Sequence, residues 1–237
     1  VSGMIELIVL FVLLLLTLLA RYLVYGAFEP LALAVICLMP LASLAIFLIS
    51  KRLADKERAY QPKNMAGWSF YHVQKSLMNK KPLFKGNEQK GYIKRYFPEK
   101  WKYAFADIFG FNWYLSLEIQ IEQDIYDVRW YRVKWLTQQE QWEIYKNGEQ
   151  IGMARTLINF KNSAKLKEAI EYIFADTTYI TSASTVTSAI SLTQNEKLLG
   201  TLKRKHVISG VQVIEVQKER PEYIIALIVH SYFFKSK

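Results

Sequence analysis

Residues 1 to 50 contain only three charges, Glu6, Arg21 and Glu29, and no other feature of the chain restricts its fold as strongly. From Leu7 to Ala20 the sequence is apolar except for Thr17, and continuing through Tyr25 brings the stretch near the roughly 20 residues that a hydrocarbon core of about 30 Å demands. Leu31 to Ile49 supplies a second uncharged run, with Pro40 placed to kink a helix near its middle. Two transmembrane helices are expected. A cleavable signal would open on basic residues, whereas Val1 to Glu6 has one acid and no Lys or Arg, so the segment reads as a retained anchor. Lys51, Arg52, Lys56 and Arg58 follow the second run, while the connector has only Arg21 at its edge. The positive-inside rule therefore puts the N-terminus and everything after residue 50 in the cytoplasm.

The remaining residues have room for one soluble domain. They hold 30 Lys and Arg against 19 Asp and Glu, a net charge of about +11 that implies an anionic partner: acidic lipid, nucleic acid or an acidic protein. Cys37 is the only cysteine and lies in the second apolar run, so cysteines can build neither an intramolecular disulfide nor a zinc cluster.

Residues 51–66, polar and with Pro62, read as a juxtamembrane linker, and the fold begins at Gly67 or Trp68. From Tyr114 the alternation Leu115, Leu117, Ile119, Ile121 against Ser116, Glu118, Gln120, Glu122 marks a strand with one wet face. Val128–Leu136 is a second strand candidate. Gln141–Lys146, Asn147–Gly148 and Gln150–Leu157 form a hairpin, since Asn-Gly between strand-like runs favours a type I′ turn. Leu166, Ala169, Ile170, Ile173 and Phe174 fall at helical spacing, so an amphipathic helix is expected over Ala164–Phe174. Strands resume at Thr177–Ile180, Thr185–Leu192, Leu198–Lys203 and Val207–Val216, the last with a bulge at Ser209 and Gly210. Ile144–Arg155 (IYKNGEQIGMAR) aligns without a gap on Leu192–Lys203 (LTQNEKLLGTLK). Pro221 and Glu222 open a terminal helix that is apolar on nearly every face through Phe234. At about 21 Å it is too short to cross a bilayer, so it must be buried in protein, most simply along the axis of a closed sheet.

The fold class expected is mainly β: two N-terminal transmembrane helices, a β-barrel around the C-terminal hydrophobic helix, and one extra amphipathic helix. On Trp142–Arg155, Leu198–Lys205 and Pro221–Phe234 the chain resembles the tubby C-terminal-like superfamily, which includes tubby proteins, LURP-one-related proteins and phospholipid scramblases. The resemblance implies a barrel of about a dozen strands over residues 67–237 and a role at membranes through acidic lipid head groups. It does not extend to a calcium-binding acidic segment of the scramblase kind.

Catalytic motifs are not visible: the sequence has no GxSxG, no HExxH and no phosphate-cradling glycine loop, and His72, His206 and His230 are far apart. The chain reads as a non-enzyme needing no cofactor or metal. The binding candidates are basic. Lys80–Tyr103 interleaves eight Lys and Arg, including Lys94 and Arg95, with aromatics, a composition that suits anionic lipid, single-stranded nucleic acid, or simply a core with a solvated face. Arg155 and the run Lys203, Arg204, Lys205 end the two related strands and could share a rim able to hold a phosphate. The favoured reading is a membrane-anchored module contacting acidic lipids or a membrane-associated partner, with nucleic acid disfavoured. The alternative is an interaction or immunity-type protein acting through its transmembrane hairpin, and an enzyme with a site on the barrel rim is the most remote.

Overall fold

The computed structural model describes residues 2–63, 65–73, 78–99, 116–131, 139–157, 167–184, 189–206 and 209–234. Two antiparallel helices, α1 (Ser2–Tyr25) and α2 (Pro30–Arg58), lead the chain, and both are long and apolar enough to span a membrane. Arg21 and Glu29, 2.6 Å apart, clasp the connector between them. Ile36, Ser43, Ser50 and Glu57 recur every seven residues as the buried stripe of α2, and the Ser43 hydroxyl donates to the Met4 carbonyl across the pair. The helix continues to Arg58, so residues 51–58, expected in the linker, are helical.

Twelve strands follow: β1 (Trp68–Tyr71), β2 (Lys80–Lys85), β3 (Glu88–Tyr96), β4 (Ser116–Ile121), β5 (Asp124–Tyr131), β6 (Gln141–Lys146), β7 (Glu149–Thr156), β8 (Lys167–Phe174), β9 (Thr177–Ser184), β10 (Ile190–Gln194), β11 (Lys197–Arg204) and β12 (Val211–Val216). Each pairs antiparallel with its neighbours in sequence, and β12 pairs with β1, which closes the barrel and leaves no sheet edge. The last helix, α3 (Pro221–Phe234), fills the lumen: Ile224 to Val229 are at most 1 % exposed. It touches the wall on several sides. Tyr172 Oη in β8 donates to the Ala226 carbonyl, Phe233 meets Trp142 of β6 edge-on, and Tyr223 meets Tyr179 of β9.

Two expectations are corrected. Residues 167–174 form strand β8, not a helix. Ile170, Tyr172 and Phe174 alternate into the core, and pairing with β7 and β9 supplies the hydrogen bonds that closure requires. Both periodicities fit so short an apolar run, and tertiary pairing decides between them. Ser209 and Gly210 make no bulge but precede β12, where the Gly210 carbonyl accepts from His72 N–H.

The bulges lie elsewhere and expose a repeat. In hairpins β2–β3, β6–β7 and β10–β11 the register slips at the same place, just after Leu83, Ile144 and Leu192. Those residues pair with Gly91, Gly152 and Gly200. A Cβ at Gly91 would lie 1.9 Å from the Gln120 carbonyl oxygen and one at Gly152 2.5 Å from that of Ile173. The two related segments of the sequence are thus three, the third being Leu83–Lys94 (LFKGNEQKGYIK). With four strands from one copy to the next in a ring of twelve, the barrel has threefold pseudosymmetry about α3.

Candidate functional site at the barrel mouth

The two ends of the barrel differ in construction. At one end the strands are joined by two-residue turns, including Asn147–Gly148, with φ of 50° and 92°, and Asn195–Glu196, with φ of 47° and 65°. This positive-φ pair at Asn147–Gly148 is the type I′ geometry expected from the sequence. At the other end, the mouth, the connections are longer and α2 arrives.

The docking of α2 is ionic. Glu57, fully buried in its last turn, receives Lys81 Nζ of β2 at 3.0 Å, Val73 N–H at 2.7 Å and Asn79 Nδ2 at 3.3 Å. Lys81 also donates to His72 Nδ1 at 2.8 Å, which places the imidazole proton on Nε2, and the His72 ring packs 4.2 Å from that of Tyr232 in α3. Helix α2, wall and lumen helix therefore meet at one cluster. Burial pushes the Lys81 ammonium down to about 8 against the pull of Glu57 upward, with Arg95 nearby adding to the downward shift. Outside the wall, the Tyr60 ring stacks on Tyr71 and meets Phe84 edge-on, which fixes the chain just after α2. Sequence reasoning missed Glu57 and Lys81. The available signals were the seven-residue stripe that carries Glu57 and the position of Lys81 two residues before buried Leu83.

All six predicted binding residues lie toward this mouth, because β3, β7 and β11 all end there. The repeat relates them: Lys94, Arg155 and Lys203 occupy the same position in the three copies, each following a core residue (Ile93, Ala154, Leu202), so each faces outward. The next position holds Arg95, Thr156 and Arg204, whose cross-strand partners Leu117, Ile170 and Gln212 are buried, so these stand on the lumen side. Arg155 is held by Glu171 at 2.5 Å, and the Arg95 guanidinium lies 4.8 Å from the Phe97 ring. Lys203, Arg204 and Lys205 are exposed.

The basic-aromatic segment is not one surface. Lys85 and Lys90 sit toward the turn end, tied to Glu219 and Glu88 at 2.5 and 2.7 Å, and Lys80 lies over Tyr92 on the outer wall. Lys100, Trp101, Lys102 and Tyr103 fall outside the described residues. Beside the segment runs an outer-wall groove of about 760 Å³ lined by Tyr96, Glu118, Asp127 and Arg129, among others. Its polar groups largely satisfy one another: Tyr92 donates to Glu118, and Asp127 accepts from Tyr96 and Arg129. Among the described residues no group of three or more His, Cys, Asp and Glu side chains is arranged to hold a metal ion. Comparison of the chain with protein families, with curated proteins and with solved structures finds no match.

Proposed function

We propose that the protein is a membrane-anchored, non-enzymatic binding module whose barrel mouth contacts the acidic head groups of its own leaflet. One observation carries this reading: the helix that would span the bilayer is buried, through Glu57, in the same end of the barrel that gathers Lys94, Arg95, Arg155 and Lys203 to Lys205. The apolar run of α2 ends at Ile49, and eight helical residues to Glu57 rise about 12 Å. Head groups occupy about 5 to 7 Å on each side of the hydrocarbon core, so the mouth stands within reach of that layer. The basic residues after α2 favour the cytoplasmic side, where the leaflet is anionic. On this reading the N-terminus lies on the same side as the barrel.

A dozen strands closed around a hydrophobic C-terminal helix agree with what the tubby-like resemblance implies, and the membrane role of that superfamily accords with this reading. A second reading, action through the hairpin on another membrane protein, draws support from an apolar cleft of about 490 Å³ between the helices, lined by Leu15, Leu18, Leu19, Tyr22, Phe28 and Leu33.

Hydrogen–deuterium exchange on the full chain in nanodiscs tests the lipid reading. Replacing zwitterionic with partly acidic lipid is expected to slow exchange at residues 94–96 and 203–205, and salt to restore it. Identical exchange in both lipids would count against it.

A further inference from the structure

The threefold repeat sets the shape of the surface that the mouth can meet. Lys94, Arg155 and Lys203 are equivalent positions four strands apart, and all three face outward at the mouth. Twelve strands spaced about 4.8 Å apart and tilted about 40° enclose a barrel of roughly 12 Å radius, so the three strand ends stand about 20 Å from one another. No single phosphate can bridge that distance, since charge-assisted contacts close at about 2.8 Å. The spacing also exceeds the Debye length of about 8 Å at physiological salt, so each cation acts on its surroundings independently of the other two.

We infer that the barrel meets an anionic surface at three separated points, one per repeat, and that its partner is the plane of its own leaflet and not one head group held in a pocket. This rests on the lipid reading above and specifies what the rim recognises: surface charge density. The three points are unequal. Neither Lys94, which stands across the ladder from Glu118, nor Lys203 forms a salt bridge among the described residues, whereas Arg155 is bound to Glu171 at 2.5 Å and arrives at the surface already partly neutralised. On the lumen side Arg95 and Arg204 repeat the cation in two copies and Thr156 breaks it in the third, where its hydroxyl accepts from Glu140 N–H. The β7 corner is therefore the weakest of the three.

The test uses the full chain reconstituted in bilayers with spin-labelled phosphatidylserine or spin-labelled phosphatidylcholine as the probe, read as the relative association of the two lipids with the protein. At low salt, Lys94→Gln and Lys203→Gln are each expected to lower the serine-lipid preference by a similar factor, up to about fivefold. Arg155→Gln should lower it less, and the triple variant should lose most of the preference. Lys197→Gln at the turn end serves as the control and leaves the preference unchanged, as does millimolar glycerophosphoserine added in solution. Circular dichroism confirms that each variant keeps its strands. If one substitution alone removes the whole preference, or the soluble head group competes, the contact is a single pocket and the three-point inference falls while the acidic-lipid reading stands. A triple variant that keeps the wild-type preference also overturns it. A wild-type chain that shows no preference overturns both.

Discussion

At the scale of single residues, the two buried charge systems make opposite demands. Glu57 and Lys81 form one buried ion pair. Replacing Glu57 with Leu leaves the Lys81 ammonium buried beside His72 and Arg95, a change of the kind that costs about 3 to 5 kcal/mol. Replacing both with apolar residues, Glu57→Leu with Lys81→Met, is expected to restore much of that loss, and a double-mutant cycle by thermal denaturation checks it. His230 behaves differently. Buried in α3 with Nδ1 2.6 Å from the Thr181 hydroxyl, it is held neutral, burial pushing it from 6.5 down to about 3. Its folded-state affinity for protons is therefore lower than that of the unfolded chain. Stability from this residue is complete above pH 6.5 and is lost as pH falls from 6.5 toward 3, by on the order of 5 kcal/mol across that window. His230→Leu should flatten the acid limb of a pH–stability curve, and an unchanged limb would refute this assignment. The repeat glycines act through backbone sterics. Ala at Gly91 would drive its Cβ against the Gln120 carbonyl, with an expected loss of about 2 to 3 kcal/mol in urea unfolding.

At the scale of elements, α3 serves as the core of the barrel. A twelve-stranded ring needs side chains or a helix to fill its interior, and here Ile224 to Val229 fill it. Leu227→Ala is expected to cost about 3 kcal/mol in the same assay, and removal of residues 221–237 to abolish the cooperative transition altogether. This element was legible in the sequence because a short helix that is apolar on all faces has no stable home on a surface. The Asn147–Gly148 hairpin was legible because its turn chemistry is local. Strand β8 was not: Ala169, Ile170, Ile173 and Phe174 satisfy helical spacing as readily as Ile170, Tyr172 and Phe174 satisfy strand alternation. What selects the strand is pairing to its sequence neighbours β7 and β9, hydrogen bonds that the periodicity of the segment alone does not reveal. The third hairpin copy, in contrast, was legible but missed: Leu83–Lys94 shares Lys85, Glu88, Gln89 and Gly91 with Ile144–Arg155 when the two are laid together without a gap. The basic residues at the mouth could be named from the sequence, and the shared register slip shows the threefold relation among them.

At the scale of the whole molecule, one asymmetry organises the structure. Two-residue turns close the end away from α2, and α2 itself, the buried Glu57–Lys81 pair and the repeated cations all belong to the other. Were α2 joined to the barrel only by a flexible linker, the two would be free to turn relative to one another. A buried carboxylate with three donors among the described residues and the packing of Tyr60 on Tyr71 and Phe84 fix the approach of α2. Proximity measurements distinguish a mouth that faces the head groups, as proposed, from one that does not. With Cys37 replaced by Ser, a fluorophore is placed on the full chain at Lys205→Cys, at the mouth, or at Asn195→Cys, at the opposite turn, in nanodiscs carrying a head-group quencher. Strong quenching at residue 205 and little at residue 195 are expected. Equal quenching at the two positions, or stronger quenching at residue 195, would contradict the proposed orientation.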